Sequence, residues 1–282
     1  MYKYGIHKKP FEVLVVDNNS TDKTGCIVER YKKNYSNLRY CVEGKVGLSH
    51  GRNRAIKEAK SEIIAYLDDD VIISDTYPDR LLWVLENYKF DCLGGMYFPW
   101  YANDKPKWIP EDFGKQEKLL NSIGVLEREY VAGLNMIFTK SILNKIGGFP
   151  VDFGMIGDAI GYGEDDSVQF EIRKLGGIVI FDPDLYVYHA VLERKQNLLW
   201  QIKSIFINSQ TNFMIHRKDE NFFSLSFYSI KSIIAALILR MPRGFIKLIT
   251  NRKYHFQNYI LYVITPVLST MGRLKAYLFS DK

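Results

Sequence analysis

Short apolar runs alternate with stretches of helical period over the first two thirds of the chain. Residues 11–16 (FEVLVV) are apolar, largely β-branched and end at Asp17, the pattern of a buried strand. The turn cluster DNNSTDKT follows, then helical spacing to about residue 34. A strand is predicted over 38–42, a helix over 49–59 with Ser49 as its cap, and a second buried strand over 63–67 (IIAYL). That strand ends at Asp68-Asp69-Asp70. A helix over 77–88 and a strand over 92–97 come next. Alternation of this kind implies a mostly parallel α/β sheet in three layers.

The pattern turns irregular over 98–129, where Pro99, Pro106, Pro110, Trp100 and Trp108 fall. A strand over 130–138 and a helix over 140–146, stopped by Gly147-Gly148, come after it. A glycine-rich loop over 154–163 leads into a helix over 164–175, closed by Gly176-Gly177, and a strand over 178–181. After His189 only helical period remains, over 197–216, 222–240 and 254–279. The chain therefore divides near residue 195, into 1–195 and a helical extension, 196–282.

Charge sharpens that division. Residues 1–189 carry 24 Lys+Arg against 28 Asp+Glu, and residues 190–282 carry 14 against 4. The basic excess lies wholly in the last third, which excludes a generally basic nucleic-acid binder and points to a local anionic partner such as a membrane surface. The hydrophobic share of 47% excludes wholesale disorder. Three cysteines, Cys26, Cys41 and Cys92, make neither a closed disulfide framework nor a zinc signature, and favour a reducing compartment. The basic start, MYKYGIHKKPFE, is not followed by the apolar run of a secretory signal. The longest uncharged stretch, 254–272, has an apolar part, 259–271, that contains Pro266. It is shorter than the roughly 18–20 residues a span requires, so a spanning helix is not expected.

Candidate chemistry gathers at strand ends. Three adjacent carboxylates after a buried strand repel one another and suit a hard cation shared with phosphate oxygens; a solvated acidic turn is the plainer reading. Asp17 ends an earlier strand and can accept hydrogen bonds from a base or ribose, or simply make an Asx turn. Glu164-Asp165-Asp166 opens a helix, as a general base or as ordinary dipole capping. His189 is a metal or phosphate ligand or a satisfied histidine. Trp100, Tyr101 and Trp108 can stack on a sugar ring or latch onto the core. No G-x-G-x-x-G follows a first strand, which argues against a dehydrogenase.

Six segments in this order resemble family 2 of the glycosyltransferases, inverting enzymes with the GT-A nucleotide-diphospho-sugar-binding fold. They are VLVVDNNSTDKT (13–24), GLSHGRNRAI (47–56), AYLDDDV (65–71), AGLNMIFTKSILNKIGGF (132–149), YGEDDSVQFEIRKLGG (162–177) and DPDLYVYHAV (182–191). The resemblance implies a metal-dependent transfer of sugar from a nucleoside diphosphate, a UDP-sugar being favoured, to a glycan or lipid-linked acceptor. It implies Asp165, with Glu164 beside it, as general base. Donor contacts fall to Asp17, Asn53, Asp68 and Asp69, and to Arg173, for which diphosphate contact and structural pairing both stand open. Mg²⁺ or Mn²⁺ falls to Asp70 and Asp68, with His189 close by. Trp100, Trp108 and Asn135 are assigned to the acceptor. The implied setting is surface polysaccharide or glycan synthesis at the cytoplasmic face of the cell membrane. The alternatives are an inactive nucleotide-sugar-binding protein and a D-x-D phosphohydrolase. One departure stands out: the family's first strand, with its P-x-Y-N-type motif, and the helix after it have no counterpart before Phe11. Either residues 1–10 partly replace that strand, or about 30–50 further residues precede them in the natural gene, the length of a strand, a helix and their connections; the second is preferred.

Overall fold

The computed structural model describes residues 10–157, 159–216 and 221–279. The expectation that residues 1–10 replace a strand lies, but for Pro10, outside the described residues. The chain forms two compact units. The first holds Met1–Trp100, Gly114–Ala159 and Glu164–Ala190, and the second Tyr101–Phe113, Ile160–Gly163 and Val191–Lys282. The second unit thus begins a few residues before 195 and also takes two segments from within the α/β region.

In the first unit, β1 (Val13–Asp17) pairs in parallel with β2 (Leu38–Val42), with α1 (Thr24–Lys32) between them in sequence. These strands make a ladder of their own. α2 (Leu48–Glu58) leads to β3 (Ile63–Leu67), which joins a six-stranded sheet with β4 (Val71–Ile73), β5 (Cys92–Trp100), β6 (Gly124–Val125), β7 (Asn135–Thr139) and β8 (Val179–Ala190). The order is β3-β7-β5-β8-β4, with β6 on β8. Within this sheet only β5 and β8 pair in parallel; the other pairs are antiparallel. The sheet is therefore mixed, not mostly parallel. β7 reads as an ordinary strand in the sequence, and nothing in its composition announces its direction; β4 and β6, three and two residues long, have no predicted counterpart.

The three layers do form. Ile137, Leu93 and Ile180 enter one apolar cluster with Tyr77, Leu81 and Val84 of α3 (Tyr77–Asn87). Their neighbours Met136, Phe138, Cys92, Val179 and Phe181 enter the other, with Ile56 of α2, Ile142 and Leu143 of α4 (Lys140–Ile146), and Val168 and Ile172 of α5 (Glu164–Lys174). This is the two-residue alternation of strands buried on both faces. Phe11 and Val13 pack into the first cluster beside Ile63 and Leu67.

β8 is three times the predicted length because Asp182-Pro183-Asp184 interrupts the apolar pattern without ending the strand. The chain bulges there, between the pairs Gly95–Asp182 and Tyr97–Val187. Asp182, fully buried, accepts from Arg80 Nε at 2.7 Å and Nη2 at 3.0 Å, and from Asp184 N at 3.0 Å. β8 thereby carries His189 to the edge of the sheet opposite Val71.

The second unit contains α6 (Leu198–Ile215), α7 (Phe222–Ala235), α8 (Met241–Thr250) and α9 (Phe256–Phe279). A π-helical turn, Ala236–Arg240, joins α7 to α8 without a break. The result is one helix, Phe222–Thr250, of 29 residues, long and apolar enough to cross a membrane by length and composition alone. The sequence reading ended this helix at 240 and missed that length.

Candidate active site

The site assembles at the ends of β1 and β3 and at the N-terminus of α5. Asp17 closes β1, almost fully buried. It accepts from Tyr40 Oη at 2.5 Å and from Ser20 N at 2.8 Å. The Tyr40 hydroxyl chiefly holds its carboxyl below the usual range. Asn19 takes φ 61°, turning the chain sharply after the strand. Asn18 clamps the next loop, accepting from Gly47 N at 2.7 Å and donating to the Lys45 carbonyl at 2.6 Å.

Asp68, Asp69 and Asp70 make the tight connection from β3 to β4, with Val71 N donating to the Asp68 carbonyl at 3.3 Å. Asp70 Oδ2 lies 3.3 Å from His189 Nε2. Burial raises the Asp68 carboxyl; Arg52 and His189 oppose that rise, and Asp70 and Asp69 add to it. Among the described residues no group of three or more His, Cys, Asp or Glu is placed to hold a metal ion unaided. The Asp68 and Asp70 carboxylates, with His189 beside Asp70, still fit a Mg²⁺ or Mn²⁺ ion that completes its shell with substrate phosphate and water oxygens.

Arg52 is the residue that sequence reasoning missed. It is buried on α2, with Ser49 and Ile56 on the same face. Its Nη1 donates to Glu164 Oε1 at 2.7 Å, and its Nη2 to Asp68 Oδ1 at 3.4 Å and the Gly133 carbonyl at 3.2 Å. Its guanidinium also lies 5.4 Å from the Phe149 ring centroid. One cation thus joins the carboxylate that ends β3 to the one that opens α5. A basic residue three after Ser49 and four before Ile56, on the inward face of α2, was the available signal.

Asp165 accepts from Gly133 N at 2.8 Å and from Asp166 N at 3.0 Å. The approach at Gly133 requires glycine: an added Cβ would sit 2.9 Å from Asp165 Oδ2 and 3.0 Å from Arg52 Nη2. Gln169 fixes the segment before β7, accepting from Val131 N at 2.8 Å and donating to the Val131 carbonyl at 2.9 Å. Burial and the Asp165 charge raise the Glu164 carboxyl, against Arg52. Asp166 is pushed up to about 7 by burial and by the charges of Asp165 and Glu164.

Three assigned residues make their hydrogen bonds within the scaffold. Asn53 spends both ends of its amide on Phe149, donating to its carbonyl at 2.8 Å and accepting from its N at 2.7 Å. Arg173 donates to the carbonyls of Leu126 and Glu129 and lies over the Tyr130 ring, which directs it to residues 126–130. Asn135 is fully buried and bonds Tyr77 Oη and the carbonyls of Met96 and Leu185, out of reach of any acceptor. Asp69 is exposed beside Asp68. Trp100 is exposed at the end of β5 in the first unit. Trp108 belongs to the second unit, where its carbonyl accepts from Asn258 Nδ2 at 2.7 Å.

The family model for glycosyl transferase family 2 matches residues 4–147, just over half of the chain. The protein belongs to that family. Curated relatives include the glucosyl-dolichyl phosphate glucuronosyltransferase of Haloferax volcanii, 21% identical over 69% of this chain and 64% of that protein. Another is the succinoglycan biosynthesis protein ExoM of Rhizobium meliloti, 23% identical over 71% of this chain and 63% of that protein. The chain thus spans less than two thirds of the length of these relatives. In architecture it is similar to the mannosyltransferase PcManGT of Pyrobaculum calidifontis, solved in complex with GDP-Man and Mn²⁺. The TM-score is 0.60 at 18% identity, over 96% of this chain and 79% of that one. The fold is GT-A.

Proposed function

We propose that the protein transfers a sugar from a nucleoside diphosphate, preferably a UDP-sugar, to a saccharide or lipid-linked acceptor with inversion of the anomeric centre. The setting is surface polysaccharide or glycan synthesis, with the protein peripheral at the inner face of the cell membrane. One observation carries this reading: Arg52 links Asp68, at the donor end of β3, to Glu164, next to the proposed base on α5.

In this reading Asp17 receives the base, and Asp68 and Asp69 the ribose and diphosphate. A Mg²⁺ or Mn²⁺ ion held by Asp70 and Asp68, with His189 beside them, supplies charge neutralisation at the leaving diphosphate. Asp165 takes the proton from the acceptor hydroxyl as that oxygen attacks the anomeric carbon opposite the leaving group. Gly133 N fixes the orientation of the Asp165 carboxylate, and Arg52 holds the Glu164 carboxyl in place beside it. No covalent sugar–enzyme intermediate is required. Trp100 offers an exposed ring for sugar stacking. Family membership sets the phosphohydrolase reading aside.

The test is a screen of nucleotide sugars with and without Mn²⁺, on the parent chain and on Asp165→Asn. The variant is expected to lose two to four orders of magnitude, roughly, in turnover, while its donor affinity stays within about threefold. Near-parental turnover would move the base elsewhere. Nucleotide binding by a parent that turns over no donor would favour the inactive binding protein.

A further inference from the structure

The helix Phe222–Thr250 is built inside out. Its buried positions are small or few: Leu225, Ser229, Ala236 and Gly244. Gly244 lies so close to Tyr259 that an added Cβ would come within 2.8 Å of the ring. The large apolar side chains face the other way. Phe223, Phe227, Ile234, Ile238, Phe245 and Ile249 are all exposed, from 50% at Ile234 to 82% at Phe223. With Ile230 and Met241, also exposed, they follow one another at steps of three and four residues. They therefore line one side of a helix about 43 Å long, and Tyr228, Ile233, Leu237, Leu239 and Ile246, also exposed, widen that stripe. A stripe of this size is too large to be scattered surface apolarity and marks a binding face.

Charge selects the occupant. Arg243 and Lys247 fall in the last turns of this helix and Arg252 and Lys253 just beyond it, and residues 190–282 carry 14 basic against 4 acidic side chains. A second copy would bring the same positive field against it; an anionic bilayer brings the opposite one. A spanning arrangement is disfavoured because Lys231 lies midway along the most apolar part, where a charge is expensive. An interfacial helix accommodates it, since the ammonium reaches the head groups while the apolar side sinks.

We propose that this stripe lies in the interface of an anionic bilayer, with the helix axis in the membrane plane. The inference rests on the peripheral location proposed above and names the surface responsible.

The experiment measures vesicle binding alone, so its outcome is independent of sugar transfer. The full chain is co-sedimented with phosphatidylcholine vesicles, with and without phosphatidylglycerol, at low and high salt. Strong preference for the anionic vesicles, weakened by salt, is expected. Arg243→Gln with Arg252→Gln should lower binding about 30-fold, about fivefold per charge. Phe227→Ser with Ile238→Ser should lower it at least about a hundredfold, with the circular dichroism spectrum unchanged. With Cys26 and Cys41 replaced by Ser, Asn221→Cys and Lys253→Cys on bound protein should both react with an impermeant maleimide from the side of addition. Parental binding by the Phe227→Ser, Ile238→Ser variant would overturn the inference while leaving a peripheral location standing. No binding to anionic vesicles would overturn both. Labelling at one end only would show a span, and a solution dimer dissolved by the serine variant without vesicle binding would show a second copy on the stripe; either overturns the inference.

Discussion

At the scale of residues, the site depends on one buried cation. Arg52 has three acceptors, and two of them, Glu164 and Asp68, are carboxylates that burial makes costly to ionise. Removing the guanidinium leaves Glu164 buried and unpaired, a change of about 3–5 kcal/mol. Arg52→Leu should therefore destabilise the protein strongly, and adding Glu164→Gln should recover part of the loss. Chemical denaturation of the four members of this cycle measures the coupling; additive losses would mean that the pair does not act as a unit. Asp166 gives a second residue-level expectation. Its carboxyl titrates at about 7 in the folded protein, above the unfolded value near 4. The folded state holds that proton more tightly, so stability falls as pH rises from about 4 to about 7 and is level beyond. Asp166→Asn should accordingly raise the melting temperature more at pH 8 than at pH 5. An equal shift at both values would mean that Asp166 does not carry this titration.

At the scale of elements, prolines in the second unit show how a local rule is met rather than broken. Pro266 sits inside α9 and cannot donate to the Tyr262 carbonyl four residues earlier. Arg240 supplies the missing donor, with Nη1 3.0 Å from that carbonyl and its guanidinium over the Tyr262 ring. Arg240 belongs to the π turn that lets the helix pass Pro242 without stopping. Arg240→Ala should cost about 1.5–3 kcal/mol, read as a lower unfolding midpoint, and Pro266→Ala should reduce that cost by restoring the native donor. The same elements mark what the sequence could tell. Strand ends bearing Asp17 and Asp68, the α5 start and the helical tail were legible because period and turn chemistry are local. The reversed direction of β7 and the full length of β8 were not, since β7 pairs with β3 and β5 through contacts distant in sequence and Asp182-Pro183 disguises a bulge. The scaffold contacts of Asn53 and Asn135 were hidden for the same reason: their partners lie 39–96 residues away.

At the scale of the whole molecule, the division into two units does not follow a single cut in the chain. Residues 101–113 and 160–163 leave the α/β region and belong to the helical unit. Their partners are in the last third. Asn103 Nδ2 donates to Glu193 at 2.8 Å, and the Trp108 carbonyl accepts from Asn258. Tyr162 Oη lies 2.5 Å from Ser204 Oγ, and Gly163, at φ 92°, leaves room for no Cβ beside Thr211 and Ile215. A chain ended after Ala190 keeps both segments and removes all of these partners. Loops without tertiary partners open at little cost and are cut first by proteases. Limited proteolysis of the shortened chain should therefore cleave first within 101–113 and 160–163, whereas the full chain should resist there under the same conditions. Cleavage at the same sites and rates in both would mean that the helical unit does not order these segments.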